Sequence, residues 1–170
     1  FWSFGFLRMG TVGMVAQAHG SDQYKEIVNL VLRNIAFVVL ISLLLILFQN
    51  FIFTISLQIF DLSSDTTSSF QEYFTIRIYS SFGELTIYVI TGLFIGLQKT
   101  KISSIVVGFF SITNIIFSLF FVLYFNMNVE GVAYGTLVAS TVTTIIFVFY
   151  TFHYLSKTTS LEINVRDVFN

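Results

Sequence analysis

Two charged side chains stand inside an otherwise oily stretch: Arg77 and Glu84, within the run from Tyr73 to Thr100. At about 100° per residue, Tyr73, Arg77, Glu84 and Tyr88 recur at i, i+4, i+11 and i+15 and share one helix face, while Ile78, Leu85, Ile87 and Phe94 spread over the others. Glu84 lies two turns, roughly 10 Å, further along the axis than Arg77 and is too deep for its short stem to reach water. Such a carboxyl must hold a proton or meet a cation, and Arg77 is the nearest cation on that face. The chemistry on offer is proton or cation binding at a cavity wall, or else a structural pair or a hydrogen bond to a neighbouring helix. Arg77, about one turn inside the outer end of the run, can also act as an anchor whose long stem reaches the headgroups.

A second set of polar groups recurs on later apolar segments. Ser111, Asn114 and Ser118 stand at i, i+3 and i+7, a stripe near mid-membrane in which Asn114 is too polar to face lipid. Either hydrogen bonding between helices or the lining of an ion or ligand path accounts for it. Thr136, Ser140 and Thr141 follow Gly131-x-x-x-Gly135, which reads first as a close-packing face, as does Gly92-x-x-x-Gly96. His19 and His153 stand alone at membrane borders without a second ligand at metal spacing, so no metal site and no cofactor is expected. Cysteine is absent, no phosphate-binding glycine loop occurs, and no Ser, His and Asp combine as a triad; the chain does not read as an enzyme.

These side chains must be positioned by membrane helices. The chain has 170 residues, of which 55% are hydrophobic and only 10% charged, against about 25% charged in soluble domains. Its 22 Phe and 8 Tyr suit lipid-facing and interfacial positions, and a net charge of −1 gives no basic patch for nucleic acid. The expected fold is an all-α, polytopic helical membrane protein. Because proline is absent, helix breaks must come from glycine or polar residues.

In chain order the expected spans are about 1–18, 27–48, 73–98, 102–125 and 131–155, all within one membrane region over 1–156. The first carries Arg8 and the small residues Gly5, Gly10 and Gly13, which would let helices approach closely. Ser21 is the expected N-cap of a helix starting near Gln23, and Arg33 is expected to snorkel to the near interface. Residues 51–60 are too short to cross and read as interfacial; residues 61–72 read as a polar, acidic loop. The tail, 157–170, reads as the start of a loop leading onward. The chain opens on Phe1 in a hydrophobic run, without the basic head of a signal peptide, which reads as a piece of a longer protein.

Charge sets the orientation. Residues 19–26, 98–101 and the tail hold Lys25, Lys99, Lys101, Lys157 and Arg166, while the alternate connections hold no Lys or Arg but Asp61, Asp65, Glu72 and Glu130. The basic set is expected to be cytoplasmic, in a multi-pass protein of the cell inner membrane.

Four stretches together resemble the MATE family, the multidrug and toxic-compound extrusion transporters, and most closely its DinF-like branch: RMGTVGMVAQAHG from Arg8, Tyr73 to Thr100 with Arg77 and GLFIGLQKT, TNIIFSLFFV from Thr113, and VEGVAYGT from Val129. The resemblance implies a twelve-helix transporter of two six-helix lobes around a central cavity, of which this chain would supply helices two to six of the N-terminal lobe, a partial transmembrane lobe over 1–156, and the start of the inter-lobe loop. The partners implied are the missing first helix and second lobe, the bilayer, a proton or sodium ion and a small organic substrate. Residue by residue, Asn114 matches an asparagine of the fifth helix near the ion site, and Thr136 matches a polar position of the sixth. Ser118 stands where an aspartate is common, the proline often found near Phe82 is missing, and Glu84 matches no family position. Glu84 is expected to take over part of the lost carboxylate's role as a protonatable group.

The leading expectation is a secondary active antiporter that exports small organic, often cationic, compounds in exchange for protons or sodium ions by alternating access. A lipid-linked sugar flippase of the same superfamily would want a cavity richer in basic residues than Arg8, Arg33 and Arg77 provide. A non-transporting membrane assembly subunit would pack its polar stripes on one another without enclosing a cavity.

Overall fold

The computed structural model describes residues 2–60 and 64–159. Among them all regular structure is helical. Seven helices follow one another: α1 Gly5–Gly20, α2 Tyr24–Leu47, α3 Gln49–Ile59, α4 Ser64–Arg77, α5 Ser81–Gly96, α6 Thr100–Tyr124 and α7 Val129–Thr159, with short 3-10 turns at Trp2–Phe4 and Ile78–Ser80. Four helical stretches are long and apolar enough to cross a membrane: Tyr24–Leu47, Thr66–Gly96, Thr100–Tyr124 and Val129–Lys157. At 16 residues, α1 spans only about 24 Å, short of the roughly 30 Å hydrocarbon core.

The bundle is built around α5. Leu85, Val89, Ile90, Leu93 and Phe94 are fully buried, and the helix touches α1, α2, α6 and α7. Its glycines explain the close approach: a Cβ on Gly92 would meet the Arg8 carbonyl and Thr11 of α1 at 2.8 Å, and one on Gly96 would meet Val15 at 2.8 Å. On the other side, Gly83 lies against Ser140 of α7, where a Cβ would stand 2.8 Å from the Ser140 Cβ. The small residues expected to serve this purpose on the first helix do not: Gly5, Gly10 and Gly13 face open space, so the notches are on α5 and the knobs on α1.

The outer helices keep their oil outside. Leu40, Leu43 and Leu47 on α2 and Ile112, Ile115, Ile116 and Leu123 on α6 are more than half exposed, as expected of surfaces that meet lipid or another membrane helix rather than water.

Two local expectations are corrected, over residues 64–72 and at Ser21. Residues 64–72, expected as loop, are the first turns of α4, because the Ser and Thr run is followed by Phe70, Phe74 and Ile76; residues 61–63 lie outside the described set. The segment expected to be interfacial is α3, which follows a break at Phe48 and folds onto α4 through Phe53, whose ring stands 5.5 Å from Phe70 and 5.8 Å from Phe74. Ser21 does not cap α2; its Oγ donates back to the carbonyls of Gln17 at 3.0 Å and Ala18 at 3.3 Å, closing the end of α1. Of the tail expected at 157–170, residues 160–170 lie outside the described set.

Candidate functional site

Because α4 begins nine residues before the expected span, Arg77, the last residue of α4, lies well inside a 31-residue helical stretch, Thr66–Gly96, that runs on through the 3-10 turn into α5. Its guanidinium turns inward. Nη1 is ion-paired with Glu84 Oε1 and donates to Ser80 Oγ, and Nε donates to Tyr73 Oη at 3.3 Å. Ser80 Oγ in turn lies 3.0 Å from Glu84 Oε1 and 2.7 Å from the Arg77 carbonyl. The pair is mostly buried, its side chains 20% and 11% exposed. The 3-10 turn Ile78–Ser80 brings Ser80 between the two charges, which the even helical spacing of Arg77 and Glu84 did not anticipate.

The second cluster joins α6 to α7. Asn114 Nδ2 donates to Thr136 Oγ1 at 2.9 Å, Ser118 Oγ donates to Asn114 Oδ1 at 3.4 Å, and Thr136 Oγ1 donates to the Val132 carbonyl at 2.9 Å. Gly135 makes this possible, since a Cβ there would collide with the Ser118 side chain and backbone. Ser111 drops out of the expected stripe; it is exposed and bonded to the Val107 carbonyl of its own helix at 2.9 Å. Glu84 and Arg77 therefore belong to one constellation, and Asn114, Ser118 and Thr136 to another, on different helices.

Two interhelical bonds were missed in the sequence. Asn34 Nδ2 of α2 donates to Thr11 Oγ1 of α1 at 3.1 Å, and Thr144 Oγ1 of α7 donates to the Gly83 carbonyl at 3.0 Å. Both were hidden because a single Asn or Thr in an oily run carries no periodic signal. Arg33, expected to snorkel, sits 3.6 Å from Glu26 at an exposed position.

Cavities open at both ends of the bundle. One of about 360 Å³ is lined by Phe4, Leu45, Ile52, Tyr73, Phe74, Arg77 and Ile78, so the arginine network forms a polar patch on an apolar wall. Another, of about 390 Å³, brings Glu72 of α4 and Glu130 of α7 together with Ser68, Gln71 and Thr75. At the opposite end, a cavity of about 340 Å³ lies under the α1–α2 and α5–α6 turns. None of these three is lined by Asn114, Ser118 or Thr136.

The MatE family model matches residues 1–120. The chain belongs to the MatE family. This MatE chain is similar to the DNA damage-inducible protein F of Escherichia coli (strain K12), 27% identical over 141 residues, 83% of this chain and 31% of that protein. It shares its fold with the outward-facing structure of a multidrug resistance MATE family transporter of the MOP superfamily (TM-score 0.85, 18% identity, 98% of this chain and 37% of that one). A MOP superfamily transporter from Pyrococcus furiosus Vc1 matches at TM-score 0.85 with 17% identity, over 98% of this chain and 36% of the other. The MatE chain thus spans about a third of the length of the relatives it matches. It is a multi-pass helical membrane protein of the MatE family.

Proposed function

We propose that this MatE chain forms most of one lobe of a secondary active antiporter that moves small organic, often cationic, compounds out of the cell in exchange for protons or sodium ions. In this reading α1 crosses the bilayer together with the turn before it, giving five spans, and the basic ends of the bundle face the cytoplasm at the inner membrane. The lobe rocks against a second lobe, and its inward polar groups face the path of ion or substrate.

The observation that carries the reading is the Asn114, Ser118 and Thr136 cluster: three uncharged polar side chains gathered between two helices whose outer faces are apolar. An amide oxygen and two hydroxyls form a donor set suited to a hard monovalent cation. The Arg77 and Glu84 pair supplies the titratable group that Ser118 does not. A flippase for polyanionic lipid-linked sugars fits less well, because Arg33 faces Glu26 and Arg77 faces Glu84, so neither offers its whole charge to an anion.

The test is transport by the full-length protein in liposomes, following a lipophilic cationic dye under an imposed pH or sodium gradient. Gradient-driven accumulation that is slowed at least tenfold by Asn114→Ala supports the reading. Accumulation indifferent to both gradients refutes it.

A further inference from the structure

The cavity at the basic end of the bundle is not used by the proposed transport path, yet its lining is chemically specific. It is walled by His19 at the end of α1, Tyr24 at the start of α2, Gln98 and Lys99 of the α5–α6 turn, and Tyr154 of α7, over a floor of Ile27, Leu97 and Leu155 that is at most 5% exposed. Its volume of about 340 Å³ lies within the range of pockets that hold small ligands, about 300–1,000 Å³. His19 Nδ1 is buried and has no hydrogen-bond partner among the described residues. A buried ring nitrogen left without a partner is costly and is ordinarily satisfied.

The charge around this cavity has a positive surplus, although Asp22 and Glu26 stand on the α1–α2 side, Glu26 being paired with Arg33. Lys99 is on its wall, and Lys25 and Lys101 flank the same two turns. The carboxylates Glu72 and Glu130 gather at the opposite end, so the bundle is polarised along its axis. Two helices also begin at this cavity: α2 at Tyr24 and α6 at Thr100, each without a side-chain cap on its first amides. Free first-turn N–H groups add to the attraction for an anion.

From these features we propose that the cavity binds the phosphate headgroup of an anionic phospholipid. The phosphate oxygens accept from Lys99 and, once its ring turns toward the cavity, from His19, the two tyrosine hydroxyls and Gln98 hold the glycerol side, and the acyl chains run down the exposed apolar face of the bundle. A lipid is favoured over a soluble phosphate because the cavity lies at the helix ends, at the level of the headgroups, with an apolar floor, and basic pockets of this kind between membrane helices suit acidic headgroups.

The experiment is native mass spectrometry of the full-length protein, purified in detergent and offered phosphatidylglycerol or phosphatidylcholine at equal concentration. One phosphatidylglycerol should be retained in preference to phosphatidylcholine. Lys99→Gln should weaken that retention about fivefold, the effect of removing one such cation, and His19→Phe should lower it as well. Lys157→Gln, which removes the same charge from the same end without touching the cavity, should leave retention within twofold of wild type. Equal retention of the two lipids, or equal loss in Lys99→Gln and Lys157→Gln, overturns the proposal. Displacement of phosphatidylglycerol by millimolar inorganic phosphate overturns the lipid as occupant. Melting curves separate a folding defect from a binding one, and the His19→Phe result stands if Lys99→Gln does not fold.

Discussion

Asn114 on α6 and Thr136 on α7 meet through a hydrogen bond of 2.9 Å, at a point where Gly135 lets the two helix backbones almost touch. Between membrane helices such a bond contributes about 0.6 kcal/mol on average and seldom more than about 2. Thr136→Val should therefore lower the unfolding free energy of the full-length protein by no more than about 2 kcal/mol while reducing gradient-driven transport several-fold. A variant that loses stability and transport in step, with transport restored on cooling, would make the pair a structural contact alone.

Arg77 and Glu84 allow a sharper contrast. Removing one partner of a buried ion pair leaves an uncompensated charge and costs about 3–5 kcal/mol, whereas replacing both by apolar groups is often neutral or stabilising. Glu84→Ala should thus unfold at lower temperature than the double variant Arg77→Met with Glu84→Leu. Differential scanning fluorimetry of the purified protein checks the order.

The same residue tests proton coupling. Glu84→Gln keeps the shape and the Ser80 contact but cannot release a proton, so transport driven by a pH gradient should fall while substrate binding persists. An unchanged pH-driven rate would remove Glu84 from the coupling chemistry.

Ser118→Asp places a carboxylate beside Asn114, four residues away on the same helix. It should steepen the dependence of transport on the imposed proton or sodium gradient. Flux measured at several gradient sizes decides this, and an identical slope in the two proteins would exclude the α6–α7 cluster from ion binding.

The glycines separate by position. Gly92→Ala and Gly135→Ala insert a methyl group where no space exists and should destabilise by about 1–3 kcal/mol. Gly10→Ala meets nothing within 4 Å and should be neutral or stabilise by up to about 1 kcal/mol through helix propensity. Chemical denaturation of the three variants compares them directly.

Hydropathy was enough to find the long helices, because runs such as Ile35 to Leu47 and Ile105 to Leu123 have little alternative in a bilayer. The pairing of Arg77 with Glu84 was also legible, since two charges on one face of an oily helix have few other partners. What failed was local. Residues 64–72 are polar enough to suggest a loop, but they run on into the apolar turns of α4, which packs against α7 and, through Phe70, against Phe53. The glycines of α1 and α5 look alike in sequence, and which set faces a neighbour is decided by helix rotation. Thr11 with Asn34 and Thr144 with the Gly83 carbonyl are single contacts between distant segments, and nothing periodic announces them.

Helix α5 bears on α1, α2, α6 and α7 at once, and at three of its glycines those contacts leave no room for a methyl group. A rod gripped in this way cannot spin or slide without dragging the pieces around it. In the proposed transporter any swing would be taken up outside this packed centre, where the oily outer flanks of α2 and α6 meet lipid or a partner, while the middle travels as a solid keel.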